Sequence, residues 1–447
     1  MLFEKTTSTE PRAGGLEARP TVERGRSGRS DIYVSDGVAG AVAELLGRPE
    51  FAAVRAYDGS YAGTTDPECT ITVTSPDAFT RVITAPGELG LARAYVAGDL
   101  EIEGDILAFV ERRHEIADPR ENARALLGIA RLAWKQGAPR RLLPPPPEEA
   151  RLRGRMHSKR RDAAAIAHHY DVGNDFYRLV LGPTMTYSCA VWTDPSVGLD
   201  AAQEAKYELI CRKLGLRPGR RLLDVGCGWG GMVLHAAREH GVEAVGVTIS
   251  EAQAELARAR VDAAGCGDRV RIVVRDYRDV DDGPYDAISS IGMFEHVGQG
   301  RLTEYSTKLA GLLRPEGRLL NHGISRSPGR PARVPSRGFM GRYVFPDGEL
   351  VEVGQTVSAV QRAGLEVRHE ENLREHYALT LRAWLANLEA NWDEAVRLVG
   401  AARARIWRLY IAGCAAGFDE GTTQIHQVLA VKSTGGRSGM PLRPQFG

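Results

Sequence analysis

The chain has 447 residues, 43% hydrophobic and 26% charged, with 58 Lys/Arg against 57 Asp/Glu and a net charge of +1. That length points to two or three domains, and the balance excludes a generally basic nucleic-acid binder, an acidic-tail protein and a wholly disordered chain. No apolar run of about 18 residues and no signal-like start occurs, and the cysteines (Cys69, Cys189, Cys211, Cys227, Cys266, Cys414) lack CxxC spacing. Neither a membrane-spanning helix nor a zinc or disulfide framework is therefore expected, and a reducing cytoplasm suits the chain.

Residues 1–30, rich in Thr, Ser, Gly, Arg and Glu without apolar periodicity, read as a disordered tail. Residues 31–115 read as a small N-terminal α/β domain. Its expected elements are a helix from Asp36 to Leu46, a strand at Thr70–Thr74, a second strand at Phe79–Thr84, and a helix at Leu89–Tyr95 broken by Gly98. From Arg112 to Arg161 there are 14 Lys/Arg and 5 Asp/Glu, an excess of +9 that leaves −8 for the rest of the chain. Such a band suits an anionic partner surface, acidic lipid or nucleic acid, and equally an Arg-rich solvated linker. Within it, the helical stretch Asn122–Lys135 carries Leu127, Leu132 and Trp134 among basic residues, as an interfacial helix or an interdomain bridge would. Pro144 to Pro147 form a stiff extended spacer, so 116–160 is read as a linker.

From 161 to 432 strands alternate with helices. Strands are expected at Arg221–Val225, Val242–Val247, Val270–Val274, Tyr285–Ser290 and Arg318–Asn321. Helices are expected at Met232–His240, Glu251–Ala264 and Leu302–Leu313. This is the pattern of a doubly wound, Rossmann-like α/β sheet. Residues 433–447 read as a second disordered tail.

The most informative stretch is Leu222-Leu223-Asp224-Val225-Gly226-Cys227-Gly228-Trp229-Gly230-Gly231, where a strand runs into a glycine-rich turn opening a helix. Gly226, Gly228 and Gly231 match G-x-G-x-x-G, yet the second strand ends in Thr248-Ile249-Ser250 with no carboxylate at its tip. Asp224 just before the first glycine would repel a pyrophosphate and suits a ligand bearing an ammonium or sulfonium group. His168-His169 has no further ligand at metal spacing, so no metal is expected.

The chain here resembles the S-adenosylmethionine-dependent methyltransferases. The ordered motifs His169 to Tyr177, Tyr187-Ser188-Cys189-Ala190, Leu223 to Gly230, Val247 to Gln253 and Gly292 to Gly298 resemble, more narrowly, the cyclopropane-fatty-acyl-phospholipid synthase family with its mycolic-acid relatives. Gly87 to Leu100 is similar to the N-terminal, lipid-engaging domain of the phospholipid-acting members.

The resemblance implies transfer of the S-adenosylmethionine methyl to a cis double bond of an unsaturated phospholipid acyl chain. Ring closure then follows by deprotonation of a carbocation, with bound bicarbonate as the base. An alkene is a poor nucleophile, so positioning, a dry pocket and π faces are required. The bicarbonate cradle implied is Cys189, Glu295, His322, Ile324 and Tyr377, with Cys414 matching a cysteine for which packing is the better chemical role. The cofactor positions implied are Tyr187, Ser188, Asp224, Gly226, Gly228, Gly230, Thr248, Ser250, Gln253, Asp276, Tyr277, Arg278 and Ile291. Gln253 would meet the ribose and Asp276 the adenine amine. Without the resemblance, Cys189 and Tyr377 read as packing, Thr248 or Ser250 as a helix cap, and Glu295 and His322 as carboxylate and imidazole at strand ends. A homodimer, visiting the inner face of the cell membrane from the water side, is also expected. Rival readings are a methylene- or methyl-branched product, a non-catalytic lipid-binding protein and an RNA methyltransferase.

Overall fold

The computed structural model describes residues 37–116, 127–128, 131, 143–150, 161, 172–336, 338–346 and 348–446. The tail 1–30, most of the stretch Asn122–Lys135 and the pair His168-His169 lie outside the described residues. The chain divides into two compact units, Met1–Pro147 with Arg337–Phe339, and Glu148–Ser336 with Met340–Gly447.

The first unit is a four-stranded sheet with short helices. Its elements are α1 (Gly37–Leu45), β1 (Ala52–Ala56), β2 (Tyr61–Ala62), β3 (Cys69–Val73), α2 (Asp77–Thr84), α3 (Glu88–Ala97), β4 (Leu100–Gly104) and α4 (Ile106–Glu111). Strand order is β2-β1-β3-β4, with β1 and β3 parallel. Residues Phe79–Thr84, expected as a strand, are helical. Ser75-Pro76-Asp77 starts a helix, and the Asp77 amide donates to Ser75 Oγ at 3.1 Å. Ala78, Phe79 and Thr80 are buried in succession while Ile83 is 40% exposed, a burial pattern no alternating strand produces. Gly98 ends α3 in the left-handed conformation, φ 79°.

The second unit carries α5 (Asn174–Leu181), α6 (Leu199–Leu214), β5 (Arg221–Val225), α7 (Gly231–His240), β6 (Glu243–Thr248), α8 (Glu251–Ala263), β7 (Val270–Val274) and β8 (Tyr285–Ile291). It continues with α9 (Leu302–Leu312), β9 (Leu313–Arg326), α10 (Val353–Arg362), β10 (Glu366–Asn372), α11 (Arg374–Ala390), α12 (Trp392–Val399), α13 (Ala401–Asp419) and β11 (Thr423–Val431). The seven strands are ordered β10-β11-β9-β8-β5-β6-β7, and β11 runs antiparallel to both its neighbours. Both faces are covered. Leu222, Ala287 and Leu320 pack with α6, α7 and α8 on one side. Their sequence neighbours Leu223, Ile288 and Leu319 pack with α9 and α10 on the other. From β5 the chain winds outward through β6 to β7, then returns to β8 on the other side of β5. The switch point therefore lies between β5 and β8, where the loops after their carboxyl ends diverge and leave a crevice.

The tail 433–447, expected to be disordered, is held over its described part. Phe446 stacks edge-on against His369 at 5.0 Å, its carbonyl accepts from Arg212 at 3.0 Å, and Met440 packs on the core. Two apolar side chains spaced among polar residues are enough to anchor it.

Candidate active site

A cavity of about 190 Å³ opens at this switch point. Its floor is the β5–α7 loop, where Gly226, Gly228 and Gly230 take φ of 79°, 52° and 80°. At Gly226 an added Cβ would sit 2.9 Å from the Met293 side chain, so the close approach of the two loops requires glycine. Gly226 and Gly228 line the cavity, whereas Gly230 caps α7 behind it against Ala257.

Asp224, the penultimate residue of β5, is 2% exposed, lines the cavity and accepts a hydrogen bond from Ser289 Oγ at 2.6 Å. Burial raises its carboxyl to about 6, opposed by the Ser289 bond and the nearby Lys206 ammonium. At the end of β6, Ser250 caps α8 by accepting the Gln253 amide at 3.3 Å. Thr248 Oγ1 donates to Gln253 Oε1 at 2.9 Å and accepts the Ser250 amide. All three line the cavity, so the capping hydroxyls also fix the Gln253 side chain.

After β7, both carboxylate oxygens of Asp276 are bonded by the Arg278 guanidinium, at 2.8 and 2.6 Å. This pair forms one wall with Tyr277, which meets Tyr305 edge-on at 4.9 Å. Ile291, Tyr187 and Ser188 complete the predicted cofactor positions, and all line the cavity.

The six residues expected at the catalytic centre do not line this cavity; five cluster through neighbours of its wall. Glu295 lies between the wall residues Met293 and His296, and its Oε1 accepts the Ile324 amide at 2.7 Å while Oε2 is buried without a partner. The Ile324 N–H is thus spent on holding Glu295. Burial pushes this carboxyl up to about 7, against the lowering pull of that amide. His322 is fully buried, two residues before Ile324 on the same side of β9, and pairs in register with the wall residue Ile291.

Gln427 on β11 sits directly opposite, its Nε2 donating to His322 Nδ1 at 3.0 Å and its Oε1 accepting from Lys213 Nζ at 2.7 Å. The amide orientation set by Lys213 makes Nδ1 the acceptor, so the ring proton sits on Nε2, which is buried without a partner. Burial and the surrounding cations hold this imidazole neutral.

Cys189 adjoins the wall residue Ser188. Its thiol donates to the Ala190 carbonyl at 3.2 Å, with the Leu373 carbonyl at 3.7 Å, and burial pushes its pKa far up. Tyr377 lies one turn on from Leu373 in α11, buried against Trp384 and Phe418. Cys414 sits in α13 with its thiol pushed up to about 12 and no bond linking it to the other five.

Around Tyr187 stands an aromatic cluster: Tyr177, Trp384 and Trp407 lie 5.5, 5.2 and 5.8 Å from its ring, and the Tyr410 hydroxyl is 2.8 Å from its own. Sequence reasoning missed Lys206, Ser289, Gln427 and most of this cluster. The signal for Lys206 was present: apolar spacing along α6 places Gln203 and Lys206 on the buried stripe with Tyr207, Ile210 and Leu214. Among the described residues, one grouping offers metal-ligand atoms within 4.8 Å of one another: Cys211, His235 and His240. Both imidazoles already bond Glu208, at 3.4 and 2.9 Å.

The chain matches the model of the mycolic acid cyclopropane synthetase family over residues 157–428. A probable fatty acid methyltransferase of Mycobacterium tuberculosis (strain ATCC 25618 / H37Rv) is 47% identical over 405 residues, covering 87% of this chain and 93% of that protein. The cyclopropane-fatty-acyl-phospholipid synthase of Escherichia coli (strain K12) is 33% identical, covering 80% of this chain and 87% of that protein. Mycolic acid cyclopropane synthase CmaA1, solved with SAH and CTAB, superposes with a TM-score of 0.57 at 34% identity, over 60% of this chain and 98% of that one.

Proposed function

The chain belongs to the mycolic acid cyclopropane synthetase family and is an S-adenosylmethionine-dependent methyltransferase, and we propose that it cyclopropanates cis double bonds in the acyl chains of membrane phospholipids. When bound, S-adenosylmethionine supplies an electrophilic methyl group to the alkene. The glycine turn, the buried Asp224 carboxylate and the adjoining cavity fit that group. Met293 closes the turn from the second loop.

The observation that carries the reading is the pair of orphaned polar atoms behind the cavity wall, Glu295 Oε2 and His322 Nε2. They are an acceptor and a donor of opposite kind, both buried, and an uncompensated buried polar atom costs about 1–3 kcal/mol. Bicarbonate fits them, because it offers one O–H to a carboxylate and oxygen acceptors to an N–H, and when bound it supplies the base. Glu295 and His322 hold and orient; the Ile324 amide and Gln427 fix those two side chains in turn. The aromatic cluster around Tyr187 excludes water and offers π faces to positive charge developing on the acyl chain. Proton loss from the transferred methyl lets that carbon close the ring.

Access from a bilayer rests on the basic band, at about 1 kcal/mol per Lys or Arg near an anionic leaflet. Of its described members, Arg112 is already engaged by Glu68 and Glu115. The protein acts at the inner leaflet as a peripheral homodimer, and binding to anionic vesicles weakens as salt rises. The test is incubation of the purified protein and S-adenosylmethionine with cis-monounsaturated, trans-monounsaturated and saturated phospholipid vesicles. S-adenosylhomocysteine forms with the cis lipid alone, and proton NMR of that lipid shows upfield ring protons. Vinylidene protons would assign the branched product instead, and equal turnover with saturated lipid would overturn the acceptor.

A further inference from the structure

Lys206 is a fully buried ammonium on α6. Its Nζ donates to Ser188 Oγ at 2.9 Å and stands 4.1 Å from the centre of the Tyr207 ring. Among the described residues no carboxylate pairs with it, although it faces the cavity that Asp224 also lines. Among the described residues its three N–H donors have one hydroxyl and one ring face for partners, on a side chain that borders the cavity.

The setting is rigid. Gln203, one turn earlier, donates to the Ser188 carbonyl at 2.9 Å and reaches the Thr186 carbonyl at 3.4 Å. Thr186 Oγ1 in turn meets the Tyr207 hydroxyl at 2.7 Å. Three successive buried positions of one helix thus fix the segment that carries Ser188.

A buried cation is costly without a counter-charge. Burial accordingly lowers this ammonium to about 7, with Cys189 and Asp224 the groups that oppose the fall. Asp224 comes from β5 and Lys206 from α6, so the cavity presents one buried charge of each sign. The α-amino-acid end of S-adenosylmethionine carries an ammonium and a carboxylate, and a carboxylate is what the unfilled donors would bind as a charge-assisted pair.

We propose that Lys206 is a cofactor-positioning residue, whose ammonium, together with the Ser188 hydroxyl it holds, receives the α-carboxylate of S-adenosylmethionine. The proposal rests on the cofactor reading of the cavity and is independent of which lipid is methylated.

The test is calorimetric binding to the full chain without lipid. The ligands are S-adenosylhomocysteine, its α-carboxamide, and 5′-methylthioadenosine, which lacks the amino-acid end. Wild type binds the carboxamide about 10–100-fold more weakly than S-adenosylhomocysteine, the range for a hydrogen bond to a charged group. Lys206→Met loses a similar factor toward S-adenosylhomocysteine, keeps its affinity for 5′-methylthioadenosine, and no longer distinguishes carboxylate from carboxamide. Lys206→Arg recovers part of the loss. Equal binding of carboxylate and carboxamide by wild type overturns the proposal with no variant needed. A Lys206→Met protein that weakens all three ligands alike also overturns it, assigning the lysine to packing. A wrong lipid acceptor would leave every one of these affinities untouched, so the two failures are distinguishable.

Discussion

The cavity and the cluster of side chains behind its wall are built in different ways. The cavity is assembled from strand-end loops in one short stretch of sheet: the turn after β5, the cap after β6, the Asp276–Arg278 pair after β7 and the loop after β8. Each is a local device whose polar atoms are largely satisfied by near neighbours in the chain. The cluster instead draws Cys189, Glu295, His322 and Tyr377 from segments up to 188 residues apart, joined through β9, β11 and the start of α11. Of its side chains, Glu295 and His322 are each held through one polar atom and leave the other, Oε2 and Nε2, buried without a partner. Local satisfaction leaves few buried polar atoms unpaired around the cavity; fixation from distant segments leaves two of them unpaired behind its wall, where bicarbonate is proposed to bind.

The largest test of that contrast is Glu295→Gln. It preserves shape and removes the charge, so turnover falls by about 100-fold or more while S-adenosylhomocysteine affinity stays within about twofold. Steady-state kinetics beside calorimetry reads both. With bicarbonate held constant, wild-type kcat falls as pH drops through about 7, because the raised Glu295 carboxyl takes up its proton there. The variant lacks that limb.

Asp224→Asn breaks the other region. S-adenosylhomocysteine binding weakens about 10–100-fold and 5′-methylthioadenosine binding does not, since in the proposed pose the lost charge faces the ammonium. Gly323→Ala probes the cluster's frame, because the new Cβ would stand 2.2 Å from the Phe294 ring, one residue from Glu295. Overpacking there costs about 1–3 kcal/mol, read by thermal unfolding. Cys414→Ala changes turnover by less than about twofold, since a neutral thiol pushed up to about 12 is no nucleophile.

The same division governs what the sequence discloses. The turn from Leu222 to Gly231 and the cap at Ser250 are written in consecutive residues, and five strands of the second sheet are legible from apolar runs bounded by glycine or polar turns. Residues 79–84 misled because Phe79, Thr80, Val82, Ile83 and Thr84 are all aromatic or β-branched, the types enriched in strands, while the Ser-Pro-Asp start that decides for helix lies just upstream. Glu295 and His322 were reached through resemblance and strand-end position. What orients them, Gln427 and the Ile324 amide, depends on the register of β11 against β9, and no local pattern announces a register. Lys206 was overlooked because no helix is read over Leu199–Leu214, so the apolar stripe that carries it inward went uncounted.

The central claim is that the buried Glu295–His322 cluster serves removal of one proton from the transferred methyl group. Turnover of cis-monounsaturated phospholipid with cofactor carrying a trideuterated methyl tests it most directly. The account predicts a product whose new carbon keeps two deuterons and sits in a ring with upfield resonances, formed far more slowly by Glu295→Gln. A new carbon that keeps all three deuterons in a methyl branch would contradict it.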